Sequence, residues 1–167
     1  MNEAPGPVAI TIRPAVSADA DGITRTYLES AEHHLRLDPE RYLIPTAEKI
    51  SERYRAGLQH PAEAQCITLV AELGGEIVGF VDVRLDRSPD PMHRDITYCH
   101  IVEIAVSSRC QSQGIGAQLM RAAEDWGRRQ GAEFASLEYL AANTRAGEFY
   151  QRRMGYRVAA MLAIKRL

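Results

Sequence analysis

The chain has too little of several things to belong to many functional classes. Its three cysteines, Cys66, Cys99 and Cys110, are odd in number and lack metal-ligand spacing, which speaks against a disulfide framework or a zinc site. They read as reduced, packing thiols of a cytoplasmic protein. The five histidines form no His-x-x-x-His pair, so no metal is expected. No apolar run nears the roughly 20 residues of a membrane helix. The first residues lack the basic-then-apolar pattern of a signal peptide, so no membrane partner is expected. There is no basic excess: the formal net charge is −2, which argues against nucleic acid as an obligate partner. Internal repeats and low-complexity tracts are also missing.

What is present is a chain of ordinary globular composition, 46% hydrophobic and 25% charged over 167 residues. That length suits one domain burying roughly 70% of its extended-chain surface. We read residues 1–7 as a disordered lead and 8–167 as the domain. Val8 to Arg13 alternates as a strand that Pro14 ends. Ser17 and the acidic residues after it open a helix that runs to about Leu37. A second helix, from about Thr46 to Leu58, carries Ile50, Tyr54 and Leu58 on one face. Cys66–Glu72 and Glu76–Leu85 form a hairpin across Gly74-Gly75, followed by a polar loop to Asp95. His100–Val106 is an apolar, β-branched strand. Beyond it Ile115, Leu119, Ala122, Ala123 and Trp126 recur at helical spacing until Gly131. Phe134–Leu140 is a strand, Thr144–Met154 a helix and Arg157–Lys165 a last strand.

The passage from strand to helix at 100–126 organises the rest. Gly114 and Gly116 lie where the strand turns into the helix, whose first N–H groups have no partner within it. Such an end binds anions, because free donors and the positive end of the helix dipole coincide. Residues 111–116 therefore read as a diphosphate cradle, although two glycines could equally serve a tight turn. A P-loop is excluded, since no Gly-Lys-Ser/Thr closes the turn. A dinucleotide fingerprint lacks its third glycine, with Leu119 in that place.

Gln111-Ser-Gln-Gly114-Ile-Gly116, with Val106 five positions earlier, resembles the acetyl-CoA signature of the GNAT N-acetyltransferase superfamily. Asn143-Thr-Arg-Ala146, Tyr150 and Gly155-Tyr156 resemble that family's second segment, in the right order and separation. The resemblance is strong over 66–167. It implies an α/β (α+β) fold, the GNAT fold: a mixed, mostly antiparallel twisted sheet of six or seven strands with helices on both faces. Strands 100–106 and 134–140 should splay and admit the pantetheine arm of acetyl-CoA, the implied co-substrate. Its contacts would be Ile104, Ala105, Val106, Gln111, Ser112, Gln113, Gly114, Ile115, Gly116, Ala117, Asn143 and Tyr150. The loop departs from the family in being neutral at Ser112 and Gln113, which leaves Arg109, Arg121 or Arg145 to meet the phosphates.

Acetyl transfer to an amine needs a base, a polarised carbonyl and a proton for the departing thiolate. A lysine-like amine with pKa near 10.4 is neutral in only about one molecule in ~2,500 at pH 7, a cost of roughly 4.6 kcal/mol. The resemblance gives the acid role to Tyr150, whose alternative is a core aromatic beside Phe149. Two residues compete for the base. Glu103 lies in an apolar strand where burial raises a carboxyl pKa, and otherwise forms a surface salt bridge. His100 holds the position of the histone acetyltransferases' glutamate, and otherwise bonds to backbone. In a regular strand the two face opposite ways, so both line one cleft only if a bulge intervenes. Glu32, His33, His34 and Asp38 crowd the end of the first helix and are the candidate acceptor contacts. The function implied is direct acetyl transfer to a primary amine of a small molecule or peptide, with a homodimer left open. The alternative is an acyl-CoA-binding sensor or regulatory module without turnover.

Overall fold

A computed structural model describes residues 9–59, 65–88 and 91–166. The elements run β1 (Ile10–Pro14), α1 (Ala20–Leu37), α2 (Ala47–Gln59), β2 (Cys66–Leu73), β3 (Glu76–Arg87), β4 (Thr97–Val106), α3 (Ile115–Arg129), β5 (Phe134–Leu137) and α4 (Thr144–Glu148), with a π-helical turn at Phe149–Arg153. The strands form one sheet in the order β1-β2-β3-β4-β5. All neighbours are antiparallel except β4 and β5, which are parallel. The expected lead at 1–7 and Val8 of the first strand lie outside the described residues.

The helices cover both faces because the strands are apolar on both. On one face Val81, Val83, Cys99 and Ile101 pack against Leu119, Met120, Ala123 and Trp126 of α3. On the other, Val70, Ile77 and Phe80 pack against Ala20 and Ile23 of α1 and Ile50 and Tyr54 of α2. Gly127 lets α3 approach the sheet closely, since a Cβ there would stand 2.4 Å from the Cys99 Cβ. Before α1, Asp19 is buried and accepts two bonds from Arg13, at 2.7 and 2.9 Å, and one from the Val16 N–H. Arg13 also reaches Glu72 on β2, so one cluster fixes β1, β2 and the start of α1.

Three expectations are corrected. Among the described residues the sheet has five strands, where six or seven were expected, because residues 157–166 are exposed and form no ladder there. The strand after α3 stops at Leu137 and does not reach Leu140, because its partner β4 diverges there. The last helix is not α-helical to Met154: after Glu148 it widens, and the Met154 N–H donates to the Phe149 carbonyl five residues back at 3.2 Å.

Candidate active site

Parallel pairing of β4 with β5 ends at Ile101↔Leu137, while β4 continues beside β3 to Val106. From Val102 onward β4 therefore has no strand neighbour on its β5 side among the described residues. Its outward peptide groups face a cleft of about 1010 Å³. Unpaired backbone donors and acceptors in such a gap suit an extended chain with amides of its own, as in the β-strand mode of peptide binding. Ile104, Ala105 and Val106 all line this gap.

The cradle closes one end. Gly114 caps α3 at φ 80°, a left-handed conformation that disfavours any Cβ-bearing residue, and Ser112 is also left-handed at φ 64°. The first bond within α3 runs from the Gln118 N–H to the Gly114 carbonyl, 3.1 Å. The N–H groups of Ile115, Gly116 and Ala117 are thus free of intrahelical partners. A Cβ on Gly116 would meet only ordinary contacts, Phe149 Cζ at 3.6 Å and Val106 Cγ2 at 3.9 Å. The fold itself does not demand glycine at 116. Gln111 donates to the Val106 carbonyl at 3.3 Å, and Arg145 donates to Gln111 Oε1 at 2.8 Å and to Ser112 Oγ at 3.4 Å. Of the three candidate arginines only Arg145 lines the cleft. Arg109 pairs with Glu76, and Arg121 is exposed on α3. Gln113 is exposed and is not among the residues lining the cleft.

The far wall comes from α4 and the π turn. Asn143 caps α4, its side-chain oxygen accepting from the Ala146 N–H at 3.1 Å, which leaves its NH₂ group available. The π turn carries Tyr150 into a nest of Tyr139, Phe149 and Tyr156 rings, with centroids 5.2–6.2 Å away. Tyr150 is 9% exposed, and its hydroxyl makes no hydrogen bond to the described residues although the oxygen is not sealed off. Tyr150 lines the cleft. Burial, and then the charge of Glu103, push its pKa up to about 12, so the phenol keeps its proton at neutral pH.

Glu103 stands on the opposite side through a bulge. In the β3–β4 ladder Asp82 opposes Glu103 while Val83 opposes Ile101, so Val102 is the extra residue. Ile101 and Ile104 consequently share the α3 face, although they are three apart. Glu103 and His100 share the other face, opposite Asp82 and Arg84. Only Glu103 lines the cleft. His100 lies beside β5, its Nδ1 3.0 Å from Ser136 Oγ. Burial pushes the Glu103 carboxyl above its usual range. The charge of His34 and a 3.3 Å hydrogen bond from Ser30 Oγ oppose this, and Asp82 adds to it. Asp82 is itself raised by burial, though Tyr54 Oη and Thr68 Oγ1 donate to it at 2.6 and 2.7 Å.

On α1 the expected acceptor contacts divide. His33 and His34 line the cleft, with His34 Nδ1 2.9 Å from the Ser30 carbonyl and its ring stacked on Tyr42 at 5.2 Å. Glu32 and Asp38 do not line it. Glu32 is exposed, and Asp38 folds back on its own loop, accepting from Arg41 Nε at 2.5 Å. Acidic lining comes instead from Glu29, Glu103, Glu138 and Glu148. Glu29 accepts from Ser107 Oγ at 3.0 Å and the Ser108 N–H at 2.6 Å, tying α1 to the end of β4. Burial would raise its pKa, but those bonds hold it low. Sequence reasoning missed Tyr27 and Ser30, which also line the cleft. Their spacing with His34, at i, i+3 and i+7, marks one helix face and was readable.

A split sheet with a helix N-terminus at the split defines an acetyltransferase-type domain. Residues 22–156 match the model of the acetyltransferase (GNAT) family, and the chain belongs to that family. Among curated proteins it is similar to the uncharacterized N-acetyltransferase YhdJ of Bacillus subtilis (strain 168), 32% identical over 62 residues. That match covers 37% of this chain and 44% of the relative, so less than half of YhdJ's length is spanned. Among solved structures it resembles a tetramutant of the BH1408 protein of Bacillus halodurans, with TM-score 0.83 and 20% identity over 94% of this chain and 99% of that one. It also resembles the aminoglycoside N-acetyltransferase AAC(6')-Iy in complex with CoA, with TM-score 0.73 and 16% identity over 99% of both chains. At such identities these two likenesses concern the fold.

Proposed function

We propose that this protein transfers an acetyl group from acetyl-CoA directly to a primary amine of a small molecule or peptide. One observation carries the reading: a carboxyl group and a phenol, both with raised pKa, flank one cleft between a helix N-terminus and unpaired strand backbone. The diphosphate would rest on the N–H groups of residues 115–117 beside Arg145, with the pantetheine arm along Ile104–Val106 and near Asn143. Acetyl-CoA supplies the activated acyl group. Glu103, as carboxylate, takes the amine proton directly or through water. β4 backbone N–H groups polarise the carbonyl, and the Tyr150 hydroxyl protonates the sulfur as it leaves. Glu103 suits the base better than His100, which is turned to Ser136 on β5. His33, His34 and Tyr42 border the acceptor side. Among the described residues no helix is long and apolar enough to cross a membrane, and we place the reaction in the cytoplasm.

The test is an acceptor screen read by thiol release from acetyl-CoA. It covers aminoglycosides, which the fold likeness to AAC(6')-Iy makes worth including, together with polyamines and peptide amines. Turnover with one class establishes the enzyme and names its acceptor. Tight coenzyme binding without release for any amine returns the chain to the alternative, an acyl-CoA-binding sensor or regulatory module.

A further inference from the structure

We propose that Asp82 is a positioning residue of the site: a fixed carboxylate behind Glu103 that makes Glu103 the member of the pair which takes the proton from the amine. The inference rests on the reading of Glu103 as the base. Asp82 on β3 stands directly opposite Glu103 on β4, at the pair next to the bulge. Side chains of such a cross-strand pair share a face, with Cβ atoms roughly 4.5–5.5 Å apart. Like charges placed this way destabilise a sheet, and burial adds to the cost by raising the pKa of both carboxyls. Among the described residues neither carboxyl forms an ion pair that would relieve it. Two such carboxyls titrate as a coupled pair, and their surroundings decide which one holds the proton.

The surroundings are unequal. Both Asp82 oxygens are taken: Oδ2 accepts from Tyr54 Oη on α2 at 2.6 Å, and Oδ1 from Thr68 Oγ1 on β2 at 2.7 Å. Two short bonds to the charged form favour that form. Asp82 does not line the cleft, so it touches no substrate there. Glu103 does line it, and its carboxylate has one hydrogen bond among the described residues, the longer 3.3 Å contact from Ser30 Oγ. The proton of the pair therefore settles on Glu103, where the amine arrives. The other groups facing Glu103 are Tyr27 and His34 on α1, Arg53 and Tyr54 on α2, and Tyr150 across the cleft. His100 shares the face but is turned to Ser136. Burial raises the Glu103 pKa most. The charge of His34, the Ser30 bond and the charge of Arg53 oppose it, and of the neighbouring side chains Asp82 alone adds to it. A fixed negative charge behind the base makes it hold the amine's proton more firmly.

The test is carboxyl-carbon NMR titration of the full chain without substrate, with pH–rate profiles on the acceptor from the screen as the second measurement. The first does not depend on acetyl transfer, so a missing activity and a missing pair are told apart. In the wild type the Glu103 resonance should titrate in two inflections, one its own and one at the pH where the Asp82 resonance moves. In Asp82→Asn it should collapse to one inflection at lower pH. In Glu103→Gln the Asp82 resonance should likewise move to lower pH. Asparagine can accept from one hydroxyl and donate to the other, so Asp82→Asn should keep or raise the melting temperature. Its acid limb of kcat/KM should move to lower pH, while kcat falls far less than the roughly 10²–10⁴-fold loss of a missing base. A single inflection for Glu103 in the wild type, or a titration and limb unmoved by Asp82→Asn, would overturn the proposal. In the second case a lowered melting temperature would make Asp82 a structural residue only. Should Asp82→Asn not fold, the wild-type curve and Glu103→Gln decide.

Discussion

The Glu103 carboxyl and the Tyr150 hydroxyl are single groups whose value depends on where the fold puts them. As the proposed base, Glu103 would act only when ionised, and burial lifts its pKa above the usual carboxylate range. The acid limb of the kcat/KM profile should therefore fall off as pH drops through that raised value, at a higher pH than an exposed glutamate would give. Glu103→Gln should abolish that limb and lower kcat by on the order of 10²–10⁴-fold; a profile of wild-type shape would transfer the base role elsewhere. Tyr150→Phe removes only an oxygen that has no hydrogen-bond partner among the described residues. A loss in kcat of on the order of 10²-fold is expected, with CoA affinity and melting temperature nearly unchanged. A loss of stability without a loss in kcat would make Tyr150 a packing residue. Replacing Glu32 or Asp38, by contrast, should leave the acceptor KM alone, since neither lines the cleft.

At the scale of elements, the N-terminus of α3 and its contact with β4 carry separate duties. Gly116 has room around it inside the protein, so Gly116→Asp should fold normally. Its carboxylate would then occupy the place proposed for the diphosphate and repel it. Calorimetry should show CoA affinity lost, and the thermal stabilisation that ligand normally gives, about 2.7 kcal/mol at 100 times Kd, should vanish with it. Gly127 is the reverse case. A methyl group there would collide with Cys99 on β4, and Gly127→Ala should cost about 1–3 kcal/mol by overpacking, measured by urea unfolding. Coenzyme affinity should change little if α3 shifts as a unit.

For the whole molecule, stability at low pH should depend on the cluster that joins β1, β2 and α1. The Arg13 guanidinium holds the Asp19 carboxyl below its usual range, with burial opposing and the Val16 N–H assisting. The unfolded chain therefore takes up this proton first. The contribution of the pair is complete above the unfolded carboxylate pKa, near 3.9, and fades as pH falls through the lower folded value. Asp19→Asn should cost about 1.5–3 kcal/mol at neutral pH and flatten the acid side of a melting-temperature profile. A profile unchanged in shape would assign acid sensitivity to other carboxylates.

Periodicity and punctuation by themselves determined most of the elements: the amphipathic faces of α1, α2 and α3, the Gly74-Gly75 hairpin and the glycine turn into α3. These were legible because each depends on neighbours in the chain. The positions of Glu103 and His100 were not. Regular alternation puts them on opposite faces, and the extra residue Val102 exists only through the register β4 adopts against β3. The short β5 was equally hidden, because nothing in Phe134–Leu140 says that β4 will turn away after Ile101. Side-chain charge at 32–41 suggested an acceptor site, but Asp38 was taken by Arg41 and Glu32 faced away from the cleft. The run at 157–165 was read as a strand from apolarity alone, yet a strand needs a ladder, and the tertiary structure withheld one. Local sequence specifies which segments can be helix or strand. Which backbone edge meets which, and so which carboxyl is buried beside which phenol, is decided by contacts far apart in the chain.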